Sequence, residues 1–203
     1  MKRYVDYLLA IQTLDPTKLK FCDESHIVSK DLDDGKMLGM VSERVYRRAS
    51  SLHSRHASLT LLTNFGNPDE PVVIDYREET NTQWDFYNFV KYCCEEGHLE
   101  SGDILIVDNA AVHGGSDSQQ ALDDLLDHFE VGLIFLPAYS PELNPCELVF
   151  SVIKRHIRNN RQIYERLMVE TLQAVSTITQ QHLEGFYLHC IFPRQILPDL
   201  PVE

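Results

Sequence analysis

The stretch "DILIVDNA" (residues 103–110) decides the fold. Ile104, Leu105, Ile106 and Val107 form an unbroken apolar run that ends in an acid. Such a run suits a strand buried on both faces rather than one with a wet side. It is followed by "SQQALDDLLDHFE" (118–130), an amphipathic helix, and by "VGLIFLP" (131–137), a second buried strand. Strand, helix and strand in that order make a right-handed crossover with two parallel strands.

Working outward, "KLKFCD" (18–23) predicts a strand ending at Asp23, and residues 37–48, 56–65 and 71–76 predict three more, together an antiparallel meander. Residues 81–98 have helical spacing with a Gly near the end, and residues 1–13 place Tyr4, Leu8 and Ile11 on one helical face. Downstream, residues 144–160 and 165–182 read as helices, and the proline-containing tail "IFPRQILPDLPVE" as extended chain. The expected fold is α/β: a mixed sheet, an antiparallel meander followed by parallel strands, flanked by helices.

The bulk numbers bound the function. A chain of 203 residues, 43% hydrophobic and 24% charged, is enough for one domain with a sizeable core. No run of about 18 apolar residues occurs, so no membrane partner is expected. Five cysteines without a C-x-x-C pair, and no secretory signal, predict reduced thiols in an intracellular protein. His53 and His56 lack nearby partners for zinc, as do His182, His189 and Cys190. The net charge of −13 disfavours phosphate contacts, but the bases crowd "KRHIRNNRQIYER" (154–166). A basic helix on an acidic body is either an electrostatic footprint or a solvated face.

In "PAYSPELNPCELVF" (137–150), Asn144 is a good N-cap and Pro145 a favoured first helical residue. Glu147 then stands third, where a carboxylate can reach back to the cap. That role competes with a chemical one. Glu147, Ser151, Lys154, Arg155 and Arg158 lie opposite an apolar stripe of Leu148, Val149, Val152, Ile153 and Ile157, so an acid and three bases share a side. Asp108 ends a buried strand at its carboxyl end, where open α/β sheets place ligands, although with Asn109 it also reads as a turn acid. Asp23 ends another strand, and alternation lets only one of Asp23 and Glu24 face a given site. Three carboxylates without His or Cys are hard ligands suited to Mg²⁺ or Mn²⁺. No Gly-rich phosphate loop or nucleophile elbow is present, which argues against an unrelated small-molecule enzyme.

Together "FCDES" (21–25), "ILIVDNAAVH" (104–113) and "IFLPAYSPELNPCELVF" (134–150) resemble the catalytic domain of Tc1/mariner-type and bacterial IS630-type transposases, the DDE endonucleases with an RNase H-like fold. The likeness runs from about Lys18 to about Arg161. It implies an RNase H-like domain over 18–185, preceded by an N-terminal helix (1–17) as remnant or linker and followed by an extended tail (186–203). It implies catalytic and metal-binding Asp23, Asp108 and Glu147, two Mg²⁺ or Mn²⁺ ions per site, and no organic cofactor. Tyr139, Ser140, Pro141, Leu143, Asn144 and Pro145 match the loop that positions the glutamate helix. The implied partners are DNA, as transposon ends and target, and a second copy in the active complex. The implied location is intracellular, nuclear if the source is eukaryotic. Lys154, Arg155 and Arg158 are candidates for DNA phosphate contacts from helix geometry alone.

The chain departs from the pattern in three respects. Only residues 1–22 precede Asp23, too few for the usual helix-turn-helix modules, so recognition of DNA ends is expected to come from elsewhere or to be absent. Phe150 stands where the family commonly has Trp, and the net charge of −13 is unusual for a DNA-handling protein. The competing reading is a catalytically silent RNase H-like domain used for binding or dimerisation.

Overall fold

The computed structural model describes residues 2–28, 56–108, 116–159 and 167–191. The strand expected at 37–48, the residue Asn109 and the tail beyond 191 lie outside these residues.

The elements run α1 (Lys2–Ile11), β1 (Leu19–Val28), β2 (His56–Thr63), β3 (Val72–Arg77), α2 (Gln83–Glu95), β4 (Ile104–Val107), α3 (Ser116–His128), β5 (Gly132–Phe135), α4 (Pro145–Asn159), α5 (Leu167–Ser176) and α6 (Gln180–Ile191). The strands form one sheet in the order β3-β2-β1-β4-β5. β1, β2 and β3 are antiparallel neighbours, whereas β4 pairs parallel with both β1 and β5. The sheet is therefore the expected mixed one, a meander joined to a crossover unit.

Alternation along the central strands feeds two cores. Leu19, Phe21, Leu59, Leu61 and Ile106 point to the side covered by α1, α4, α5 and α6. Cys22, Leu62, Leu105 and Val107 point to the side covered by α2 and α3, against Phe86, Phe89, Val90, Leu122 and Leu126. Apolar residues on both faces explain the unbroken run in β4. Each fully buried Leu, Ile or Phe contributes about 1.5–3 kcal/mol.

Several expectations are corrected. β1 does not end at Asp23. Its antiparallel ladder with β2 continues from Cys22↔Leu62 to Val28↔His56, while its parallel ladder with β4 stops at Cys22↔Val107. Asp23 thus stands where β1 loses one neighbour and keeps the other. β5 is an edge strand rather than a buried one, with Gly132 exposed and Phe135 40% exposed. The helix expected at 165–182 is two helices, α5 and α6, and residues 186–191 of the expected extended tail are the last turns of α6. Burial of Leu183, Tyr187, Cys190 and Ile191 holds those turns in place. The Tyr187 hydroxyl donates to the Leu19 carbonyl at 2.7 Å, which ties α6 to the start of β1.

Candidate active site

β1, β4 and β5 are parallel to one another, so their carboxyl ends share one edge of the sheet. The β1–β4 register pairs Phe21 with Ile106 and Cys22 with Val107, and one step further are Asp23 and Asp108. Neighbouring strands lie about 4.8 Å apart, and laterally paired residues share a face. Asp23 and Asp108 therefore project side by side on the face of Phe21 and Ile106, the face covered by α4. Glu24 projects to the opposite face, where the Asn81 amide donates to its carboxylate at 2.7 Å. Alternation thus selects Asp23 of the two adjacent acids.

Helix α4 brings the third acid to the same face. Cys146, Val149, Phe150, Ile153 and Ile157 are buried at helical spacing and fix its rotation, which leaves Glu147 exposed. Two contacts lock its first turn to β1. The Cys146 thiol donates to the Phe21 carbonyl at 3.3 Å, and the Asn144 side-chain N–H donates to Asp23 Oδ2 at 2.8 Å. Burial pushes the Cys146 thiol well up, so it stays protonated and able to donate.

Asn144 also caps the helix, its Oδ1 accepting from the Cys146 N–H at 3.1 Å. The backbone N–H of Asn144 donates to the Pro141 carbonyl at 3.0 Å, closing a 3-10 turn over Pro141–Leu143. The cap's N–H is thus already used, and the capping-box role for Glu147 is not realised. The Glu147 carboxylate is exposed and close enough to Asp23 for its charge to act there.

Asp23 is the most perturbed of these acids. Burial raises its carboxyl to about 7, and the negative charges of Glu147 and Asp108 push the same way. Hydrogen bonds from the Glu24 N–H and the Asn144 amide act against them. Among the described residues no three His, Cys, Asp or Glu side chains stand close enough to enclose a metal ion. A cleft of about 410 Å³ is lined in part by Asn144, Glu147, Leu148 and His189.

The bases of α4 follow the acids. The Lys154 ammonium donates to Ser25 Oγ at 3.0 Å, and Ser25 is two residues beyond Asp23 on the same face of β1. Arg155 is exposed. Arg158 is half-buried, with its Nε–H donating to the Lys154 carbonyl at 3.3 Å. Pro141 opens the 3-10 turn and Pro145 begins α4, as the loop motif requires. Sequence reasoning missed the anchoring role of Cys146 and the Asn81 partner of Glu24. The cap at Asn144 was visible, but its bond to Asp23 spans 121 positions and leaves no local signal.

The double duty of Asn144 is separable by mutation. Asn144→Ala is expected to cost about 1 kcal/mol for the cap, and more for the donor lost to a buried carboxylate. Asn144→Asp keeps the cap but sets a second carboxylate against Asp23, so it should destabilise at pH 8 and recover at pH 5. Thermal melts at the two pH values check this, and equal melting of Asn144→Asp and the parent at pH 8 would contradict the geometry.

A five-stranded sheet in this order, with acids at its switch edge and a capped helix over them, is an RNase H-like fold. The family profile described as DDE superfamily endonuclease matches residues 18–169, and the chain belongs to that family. Among solved structures, the Mos1 mariner paired-end complex with Mn is similar with a TM-score of 0.62 and 13% identity, over 92% of this chain and 56% of that one. A pre-cleavage Mos1 transpososome is similar with a TM-score of 0.57 and 13% identity, over 92% and 60%. The Mos1 paired-end complex with Mg gives 0.53 and 12%, over 90% and 58%. The chain spans less than two thirds of each of these proteins. No curated protein matches it by sequence.

Proposed function

We propose that the chain cleaves and joins DNA strands by metal-dependent phosphoryl transfer, as the catalytic domain of a Tc1/mariner-like transposase. The observation that supports this reading is the register that sets Asp23 and Asp108 at neighbouring strand ends, under the helix whose first turn carries Glu147; burial first, and then the charges of Glu147 and Asp108, raise the Asp23 carboxyl. Repulsion between like charges is what a divalent cation relieves. The oxygen-only donor set fits Mg²⁺ or Mn²⁺, and the Mos1 neighbours include complexes with each metal. Asp23, Asp108 and Glu147 would hold the ions, two per site in this reading. When bound, such ions activate a water or 3′-hydroxyl and stabilise the leaving oxygen. The residues of the chain hold this arrangement: Asn144 orients Asp23, and Cys146 pins the helix that carries Glu147. Lys154, Arg155 and Arg158 would receive the phosphate backbone on the same side. DNA phosphate oxygens would complete the set of oxygen donors. A second copy in the active complex, and a nuclear location for a eukaryotic source, belong to the same reading.

Calorimetric titration of Mn²⁺ into the parent, Asp23→Ala and Asp108→Ala tests it. Binding in the parent and its loss in both variants is the expected result. If a DNA oligonucleotide is also supplied and the parent still binds no metal, the reading fails in favour of a catalytically silent binding module.

A further inference from the structure

The loop from β5 to α4 leaves the same sheet edge that carries Asp23 and Asp108. Phe135 is the register partner of Val107, and the Leu136 N–H donates to the Val107 carbonyl at 2.9 Å. Four residues after Phe135 stands Tyr139, whose side chain is 100% exposed and whose φ is +58°. Both features are unfavourable for a tyrosine. A positive φ is strained for a bulky side chain, and glycine or asparagine would relieve it. A fully exposed ring forgoes all burial. The conformation is nevertheless bracketed: Pro137 and Pro141 flank it, and the Leu143 N–H donates to the Ser140 carbonyl at 3.1 Å. The same short loop continues into Asn144, which holds Asp23. Strain kept beside a reactive centre points to use.

We propose that Tyr139 is a stacking platform for an unpaired base of the DNA strand that enters the acid site. This rests on the DNA-strand reading given above. One isolated ring, flanked by Ala138 and Ser140, is too small an apolar patch to seat a protein partner. It suffices for a base, because every base presents a π-face. Its place at the acid edge would hold a strand out of the duplex as its phosphate meets Asp23 and Asp108, making Tyr139 a positioning residue.

The test uses a hairpin duplex with a three-nucleotide 3′ overhang, 2-aminopurine placed in turn at each overhang position, and a separate dye for anisotropy. Parent and Tyr139→Phe are expected to bind and to quench 2-aminopurine at one position. Tyr139→Ala and Tyr139→Gly should lose that quench and bind about 5- to 150-fold more weakly, the range for one stacked base. Tyr139→Gly should melt at or above the parent temperature, since it removes backbone strain. Binding with the same quench in Tyr139→Ala as in the parent overturns the stacking role alone. Absence of any anisotropy change in the parent overturns the DNA reading and the stacking role with it. A lower melting temperature for Tyr139→Gly together with undiminished DNA binding would assign the residue to the fold instead.

Discussion

Asp23→Asn is expected to stabilise the metal-free protein at pH 8, although it removes a central acid of the site. The Asp23 carboxyl is raised from 3.8 to about 7, by burial first and then by Glu147 and Asp108. The folded chain therefore binds this proton more tightly than the unfolded chain. Its stability is full below the unfolded value, falls as pH rises from about 4 to about 7, and is flat above that. The ionised carboxylate costs the fold about 4 kcal/mol at pH 8, at 1.36 kcal/mol per pH unit. Asparagine removes the charge but has one acceptor oxygen where aspartate uses two, on the Glu24 N–H and the Asn144 amide. Losing one of those bonds returns about 1–2 kcal/mol. The net gain is about 2–3 kcal/mol, or roughly 5–10 °C in Tm for a chain of this size. Melts of parent and variant from pH 5 to pH 8.5 check it: the parent should lose stability with pH, and Asp23→Asn should lose less. Mn²⁺ should restore the parent at pH 8 and leave the variant unmoved. A variant that melts below the parent at every pH would show that the ionised Asp23 carboxylate does not cost the folded chain stability.

That a site residue should be costly to the fold bears on what could be read from the sequence. The β4 run, the crossover and the amphipathic stripe of α4 were legible because each is a local pattern of apolar residues. The reach of β1 was not. "DESHIV" looks polar and terminal, yet it continues because β2 offers a full antiparallel partner as far as His56. The break between α5 and α6 was missed for a related reason. Thr179 caps α6 through His182, whose Nδ1 lies 3.2 Å from the Thr179 N–H, and a histidine there is not the glutamate or glutamine of an ordinary capping box. As candidates, Asp23, Asp108 and Glu147 were each nameable, because acids at strand ends and helix starts are visible. Their mutual placement was not, since it depends on the β1–β4 register and on Asn144 and Cys146 reaching across to β1. The rejection of a capping box likewise required the Pro141–Leu143 turn, which claims the N–H that Glu147 would have met.

Asp108→Asn is expected to abolish metal-dependent nicking of supercoiled DNA while leaving DNA binding intact. The substitution is isosteric and falls just beyond the last paired residue of β4, so no core contact is lost. On the proposed reading, the amide removes one anionic ligand from the edge shared with Asp23. Metal ions supply several kcal/mol of charge stabilisation to phosphoryl transfer, and at 1.36 kcal/mol per decade the loss is on the order of 10³-fold or more in rate. Binding should move the other way. At net charge −13 the body of the protein disfavours DNA, so on the proposed reading the attraction would come from bases such as Lys154 and Arg155 on α4. Removing a negative charge at the same sheet edge should hold affinity constant or tighten it, as read by anisotropy without added metal. Arg155→Ala should show the opposite pair of effects, with weaker binding, a shallower salt dependence and a smaller loss of rate at saturating DNA. Undiminished nicking by Asp108→Asn would remove Asp108 from the metal site. Equal loss of binding and nicking would mean instead that Asp108 acts by holding the strand end in shape, which circular dichroism of the variant would register.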